Sequence, residues 1–136
     1  FYVGGNYTWS TSKVQLSAEN LASLTTVSRP LQGHSSHIVN FQIGYDNPAW
    51  KTQATLLYNV SSKRIVAAGL LGTPDKYEQP FHQVDFVLSQ NLYRGISMQA
   101  SAQNLLDDDV LILQGDEISR QFRRGRFFNF SVRLAY

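Results

Sequence analysis

Phe128-Asn129-Phe130-Ser131-Val132-Arg133-Leu134-Ala135-Tyr136 ends the chain, and its reading decides the fold. Phe128, Phe130, Val132, Leu134 and Tyr136 fall on one side of a period of two, and Asn129, Ser131, Arg133 and Ala135 on the other. Successive side chains of a strand point to opposite faces, whereas a helix gathers its apolar residues every three or four positions. The stretch is therefore a strand with an apolar face and a polar face.

The same alternation runs upstream. Val84, Phe86 and Leu88 oppose Gln83, Asp85 and Ser89, and Ile96, Met98, Ala100 and Ala102 oppose Ser97, Gln99, Ser101 and Gln103. These two strands make a hairpin through 91–95. A second hairpin sets His37, Val39, Phe41, Ile43 and Tyr45 against Asn40, Gln42, Gly44 and Asp46. It turns at Asp46-Asn47-Pro48-Ala49, a strong local breaker, and returns with Trp50, Ala54, Leu56 and Tyr58 against Lys51, Gln53, Thr55 and Asn59. Near the N-terminus Val3, Tyr7 and Trp9 oppose Asn6, Thr8 and Ser10, in a pattern that reaches toward Leu16. About six strands and no helix are expected.

Composition narrows the class. The 136 residues are 43% hydrophobic but only 16% charged, with a net charge of +2, against roughly 25% charged in a typical soluble domain. Mean hydropathy is −0.24, and the longest apolar stretch, 65–71, is far short of the roughly 20 residues of a membrane helix. Without cysteine, disulfide frameworks, thiolate metal sites and cysteine nucleophiles drop out. So small a charge does not indicate nucleic acid, even at a pI near 9.0. The chain opens on Phe1-Tyr2-Val3, without an initiator Met or signal-peptide order, and is expected to be mature, truncated or a fragment.

Connection lengths point to a membrane. Short turns at 46–49 and 91–95 alternate with long segments at about 17–35, 61–80 and 105–121, the asymmetry of transmembrane β-barrels with short periplasmic turns and long outer loops. Through the middle of the best strands the apolar faces carry no Asp, Glu, Lys or Arg, whereas the opposite faces carry Lys51, Asp85 and Arg133. A cation on the lipid side at the midplane would cost roughly 2–4 kcal/mol, so the charges belong inside. A soluble antiparallel sandwich also alternates, but its solvated face favours Lys and Glu, whereas these polar faces favour Gln, Asn and Ser. An open sheet leaves unpaired edges that lipid does not tolerate, and single-chain bacterial barrels have at least about 8 strands. Residues 1–136 are thus expected to be part of a larger barrel, with the alternative that several copies share one. An even strand count places both termini on one side, the periplasmic one, with Tyr45, Trp50, Tyr93 and Tyr136 as an interfacial girdle.

Further pieces give a resemblance. They are Asn6-Tyr7-Thr8; 30–35, read Pro-Leu-Gln-Gly-His-Ser; Gly44-Tyr45-Asp46-Asn47; Leu57-Tyr58-Asn59-Val60 followed by Lys63-Arg64-Ile65; 72–80, read Gly-Thr-Pro-Asp-Lys-Tyr-Glu-Gln-Pro; Asp85 with Leu88-Ser89-Gln90; and Asn104-Leu105-Leu106-Asp107. In this order and spacing the chain resembles the C-terminal barrel of a TonB-dependent outer-membrane receptor of the Bacteroidota-like branch. The resemblance implies the last strands of a plugged barrel of about 22 that imports a scarce nutrient with energy from the inner membrane. It further implies a plug and the rest of the barrel as partners, TonB acting through a segment outside this chain, outer-membrane lipid, and a surface lipoprotein that binds substrate. The Phe128, Phe130, Val132, Leu134 and Tyr136 ladder resembles the signal read by the barrel-assembly machinery, with Tyr136 where the family commonly has Phe. A passive porin is the near alternative.

The remaining candidates are weaker. His34, His37 and His82 could ligate metal, but no second ligand follows at suitable spacing, and they read as loop or interface histidines. Asp107-Asp108-Asp109 with Asp116 and Glu117 lacks the alternating ligands and central Gly of a calcium loop. Arg120, Arg123, Arg124 and Arg126 form a basic run at the outer end of the last strand, where Arg124 and Arg126 would meet lipopolysaccharide phosphates, for which a guanidinium is suited. Asn6, Asn59 and Asn129 open glycosylation triplets but fall on the inner face. Lys63 and Arg64 are expected to pair with Asp75, Lys76 and Glu78 in a loop network. No Ser-His-Asp spacing or matched carboxylate pair supports an enzyme, and no cofactor is implied.

Overall fold

The computed structural model of the protein describes residues 1–15, 25, 28–92 and 95–134. It is all-β and antiparallel, with twelve strands among these residues. Six of them form the main sheet: β1 (Tyr2–Trp9), β4 (His37–Asn47), β5 (Thr52–Ser61), β8 (Phe81–Asn91), β9 (Ile96–Gln103) and β12 (Phe127–Leu134), neighbours in that order. The sheet is an uninterrupted meander. Tight turns join β4 to β5 and β8 to β9, and long excursions join the other pairs. Among the described residues no closed barrel forms; β1 and β12 are open edges.

The excursion before β4 carries β2 (Val14–Gln15) and β3 (Ser28–Arg29), paired to each other. The two later ones carry β6 (Arg64–Ala67) with β7 (Lys76–Glu78), and β10 (Asp109–Gln114) with β11 (Glu117–Arg123). Those four strands join into a second sheet ordered β11-β10-β7-β6, because β7 pairs with β10 across the two loops. The long segments at 61–80 and 105–121, expected only as connections between about six strands, thus carry strands of their own, which form a cap. Residue 16, where the first strand was expected to end, lies outside the described residues, and β1 already stops at Trp9.

Register fixes the two faces, since residues paired across an antiparallel ladder share a side. Ile43, Leu56, Phe86, Ala102 and Phe128 form one row across five strands, and Asn6, Asn40, Asn59 and Gln83 another across four. The alternation expected from the sequence holds in every main strand. Lys51 and Trp50 sit in the turn instead, where Asn47 Oδ1 accepts from Ala49 N at 3.1 Å and from Trp50 N at 3.2 Å. That Asx closure leaves Lys51 at φ 52°, so its side chain follows neither face.

Among the described residues the buried apolar side chains are Ile65, Phe81 and Val110. They belong to β6, the start of β8 and β10, so the core lies where the cap meets the sheet. The middle of the sheet has no second layer. Its apolar face is open: Phe128 is 73% exposed, Leu134 68% and Trp9 65%.

The band of apolar residues crosses the sheet obliquely. On β1 the run Val3 to Trp9 is centred level with Asn40 of β4; on β4 and β5 the centre is level with Gln42, and on β8 with Ile43. On β9 and β12 it is level with Asp46. The centre drifts from position 40 to position 46 over five strand spacings, about 20 Å along the strands for about 24 Å across them. The start of β1 and the end of β12 lie at the end of the sheet that carries the short turns, with Tyr2 opposite Gly44 and Leu134 opposite Ile96.

Candidate functional site

Two surfaces concentrate the chemistry: the polar sheet face and the cap. On the polar face Asn40 Nδ2 donates to Asn6 Oδ1 at 2.8 Å, and Asn59 Nδ2 donates to Asn40 Oδ1 at 2.5 Å. Gln83, next in the row, donates to both carboxylate oxygens of Asp85 at 3.0 and 2.9 Å. The amides satisfy each other and leave their outer ends for further polar groups. A depression of about 330 Å³ lies over them, with Gly4, Gln42 and Asp85 on its rim. Nearer the short turns the Tyr2 ring lies over Gly44, where a Cβ would sit 1.9 Å from Cζ, and its hydroxyl is 2.9 Å from Thr55 Oγ1. An aromatic ring thus covers the backbone left bare by a cross-strand glycine.

The opposite face carries no Asp, Glu, Lys or Arg in any of the six strands. At its loop end stand two tyrosine–histidine pairs, Tyr7 with His37 and Tyr58 with His82, each 2.7 Å from hydroxyl to Nδ1. His34 is 2.8 Å from Ser10 Oγ by its Nε2. The three histidines therefore lie apart, and no cluster of three or more His, Asp or Glu suited to a metal occurs among the described residues. Asp108 accepts from its neighbours' backbone, Asp107 from Gly125 N and Asp109 from Arg123.

The cap is held by ion pairs and a clip. Arg64 Nη2 meets Glu78 Oε1 at 2.8 Å, and Arg29 lies 3.7 Å from the buried Asp75, whose Oδ1 also accepts from Gly69 N at 2.7 Å. Among the described residues the expected network of Lys63, Arg64, Asp75, Lys76 and Glu78 appears in the pair of Arg64 with Glu78, while Asp75 lies against Arg29 and Lys63 stands over the Tyr77 ring. At the end of β9, Asn104 takes φ 55°, donates its backbone N–H to Asp85 Oδ1 at 2.9 Å and its Nδ2 to Gly125 O at 2.7 Å. Asparagine tolerates that left-handed backbone better than most residues do. Arg123 Nε donates to Asp109 Oδ1 at 2.8 Å. That bond, with a second from Gln121, holds the Asp109 carboxyl below its ordinary value, and Arg123 is raised in turn.

Of the basic run, Arg120 stands over Phe122 and Arg124 over Phe81, and Arg126 Nε donates to Leu105 O at 2.9 Å. Phe128, Phe130, Val132 and Leu134 all lie exposed on the apolar face; Tyr136 and Tyr93 lie outside the described residues. Asn6, Asn59 and Asn129 share the polar face. The amide row was not singled out from the sequence, although each member had been assigned to the polar face; only the register aligns them. No family model, curated protein or solved structure matches the chain.

Proposed function

We propose that this chain is a wall segment of a larger outer-membrane β-barrel, and that the barrel is a TonB-dependent importer of a scarce nutrient. One observation carries the membrane part: the exposed face of the main sheet is apolar and free of charge over six strands, in an oblique band. A soluble sheet would turn such a face to a second layer. The drift of the band corresponds to strands tilted by about 40° from the normal to the layer they cross, within the 35–45° of transmembrane barrels. Strands of eight to eleven residues match the roughly 9–11 needed to span a tilted path, and Trp9, paired with His37 at the loop end, lies where aromatic girdles form. In hydrocarbon the open edges of β1 and β12 must be paired, so further strands flank this segment.

The polar face then lines the lumen, toward a plug, and the cap stands outside the cell with the loops that meet substrate. Phe128, Phe130, Val132 and Leu134 face lipid and, with Tyr136, form the signal for the assembly machinery; Arg124 and Arg126 lie at the level of lipopolysaccharide phosphates. Importer over porin rests on the sequence resemblance. Cysteine labelling tests the wall: a lipid-phase reagent is expected to modify Phe86→Cys and an aqueous one Asp85→Cys, and the reverse would overturn the assignment of faces. Planar-bilayer recording tests transport. A plugged importer stays closed, whereas a steady open conductance would make the protein a porin.

A further inference from the structure

Three loops meet beside the outer end of β4. The chain after β1, the turn at 30–36 and the connection from β5 to β6 are tied by main-chain bonds: Ser10 N to Ser36 O at 3.0 Å, Gly33 N to Ile65 O at 2.7 Å and Ser62 N to His37 O at 2.8 Å. Ser12 Oγ adds a bond from Leu31 N at 3.0 Å. Between them is a cavity of about 270 Å³, with Tyr77, Ile65 and Pro30 among its walls. The bonds that hold it are backbone and hydroxyl groups, so the space does not depend on a ligand for its shape.

Its lining has polar capacity left over. Lys63 Nζ stands 5.5 Å from the centroid of the Tyr77 ring and has no carboxylate within ion-pair distance among the described residues. Its neighbour Arg64 is already held by Glu78. The hydroxyls of Thr11 and Tyr77 have no hydrogen-bond partner among the described residues, and His34 uses only Nε2, on Ser10. The lining thus combines the ammonium of Lys63, three polar groups that exchange hydrogen bonds with hydroxyls, and an apolar wall.

We propose that this cavity binds a monoanionic pyranose, a hexuronic acid. Lys63 takes the carboxylate; Thr11, the Tyr77 hydroxyl and His34 Nδ1 take ring hydroxyls; Pro30 and the Tyr77 ring cover the C–H face. A single cation matches a single negative charge. The volume is slightly below the roughly 300–1,000 Å³ of drug-sized pockets, so it admits one ring and not a chain of them. A bare phosphate would place two charges on one cation and leave the apolar wall without a partner. Binding is a property of the loops; only its role as a first contact for imported substrate rests on the importer reading.

Calorimetric titration of the purified protein with sodium glucuronate, with glucose and acetate in parallel, tests the site. Glucuronate is expected to saturate in the millimolar range, about tenfold tighter than either control, the worth of one charge-assisted bond. Lys63→Met should erase the preference over glucose, Lys63→Arg should keep it, and Tyr77→Phe should weaken binding several-fold with the ring retained. Circular dichroism establishes that each variant is folded. Glucose or acetate binding as well as glucuronate, a preference that survives Lys63→Met, or no saturation by about 20 mM in folded protein would overturn the site. Glucuronate binding by a protein that fails to enter vesicles would overturn the importer reading alone.

Discussion

Arginine carried down β4 should report the depth of a bilayer. The apolar band on β4 is centred level with Gln42, so Ile43 is one residue, about 3 Å, from the midplane. His37, five residues away, is about 17 Å off along the strand and, at a tilt of about 40°, about 13 Å off in depth, at the border of an apolar band about 25 Å tall. Arginine should therefore cost about 2–4 kcal/mol at 43 and about 0–1 kcal/mol at 37, each measured against alanine at the same position so that the lost Tyr7 bond and the lost apolar contacts cancel. The first figure is about thirty- to several-hundred-fold in the folding equilibrium. Ile43 is 43% exposed in the sheet, so on a solvated face the same change would stay within about 0.5 kcal/mol. Gln42→Arg, on the polar face, should also be near neutral. Reversible urea unfolding from lipid vesicles measures all three, and equal costs at 43 and 37 would refute the oblique apolar band as a lipid contact.

Gly44→Ala should displace the Tyr2 ring and break its bond to Thr55, at about 1–3 kcal/mol by urea titration; in a Tyr2→Ala background the penalty should nearly vanish. Asp109 titrates below its unfolded value of 3.8, so its contribution to the β10–β11 hairpin is present above that value and is lost as pH falls through the lower folded one. Hydrogen exchange corrected for intrinsic rates should show that hairpin loosening in strongly acidic solution, with the response absent in Asp109→Asn. Deleting Tyr136 should reduce assembled protein in cells more than Tyr7→Ala does, and equal effects would make Tyr136 one more lipid-facing aromatic.

The main sheet was legible because each strand has one wet and one apolar face, and side-chain direction in a strand is fixed by parity. Val39, Phe41 and Ile43 against Asn40, Gln42 and Gly44 state that parity without ambiguity. The cap obeys no such rule. Asp109 to Gln114 is an unbroken apolar run between polar ends, since Val110 is buried and its neighbours are half-covered on the other side. Its partner β11 loses phase at the bulge between Ile112 and Leu113, where Arg120 and Ile118 face consecutive residues of β10. The strand β7 is three residues long and owes its existence to pairing on both sides. In the proposed sugar site Thr11, His34, Lys63 and Tyr77 come from four separated segments, each an ordinary loop or short-strand residue in its own context. The depth drift is likewise a property of register, invisible until six strands are aligned.

The pairing of β7 with β10 has a mechanical consequence. It spans two excursions that belong to different strand pairs, one leaving β5 and returning at β8, the other leaving β9 and returning at β12. Neither loop can swing outward without breaking the ladder through Glu78, Tyr77 and Lys76 and uncovering Ile65 and Val110. Amides of the two loops should therefore share one opening free energy and exchange as a single cooperative unit. A loop that must yield to cargo is then a pair of loops, and the cap acts as a brace that sets the spacing of the four strands beneath it.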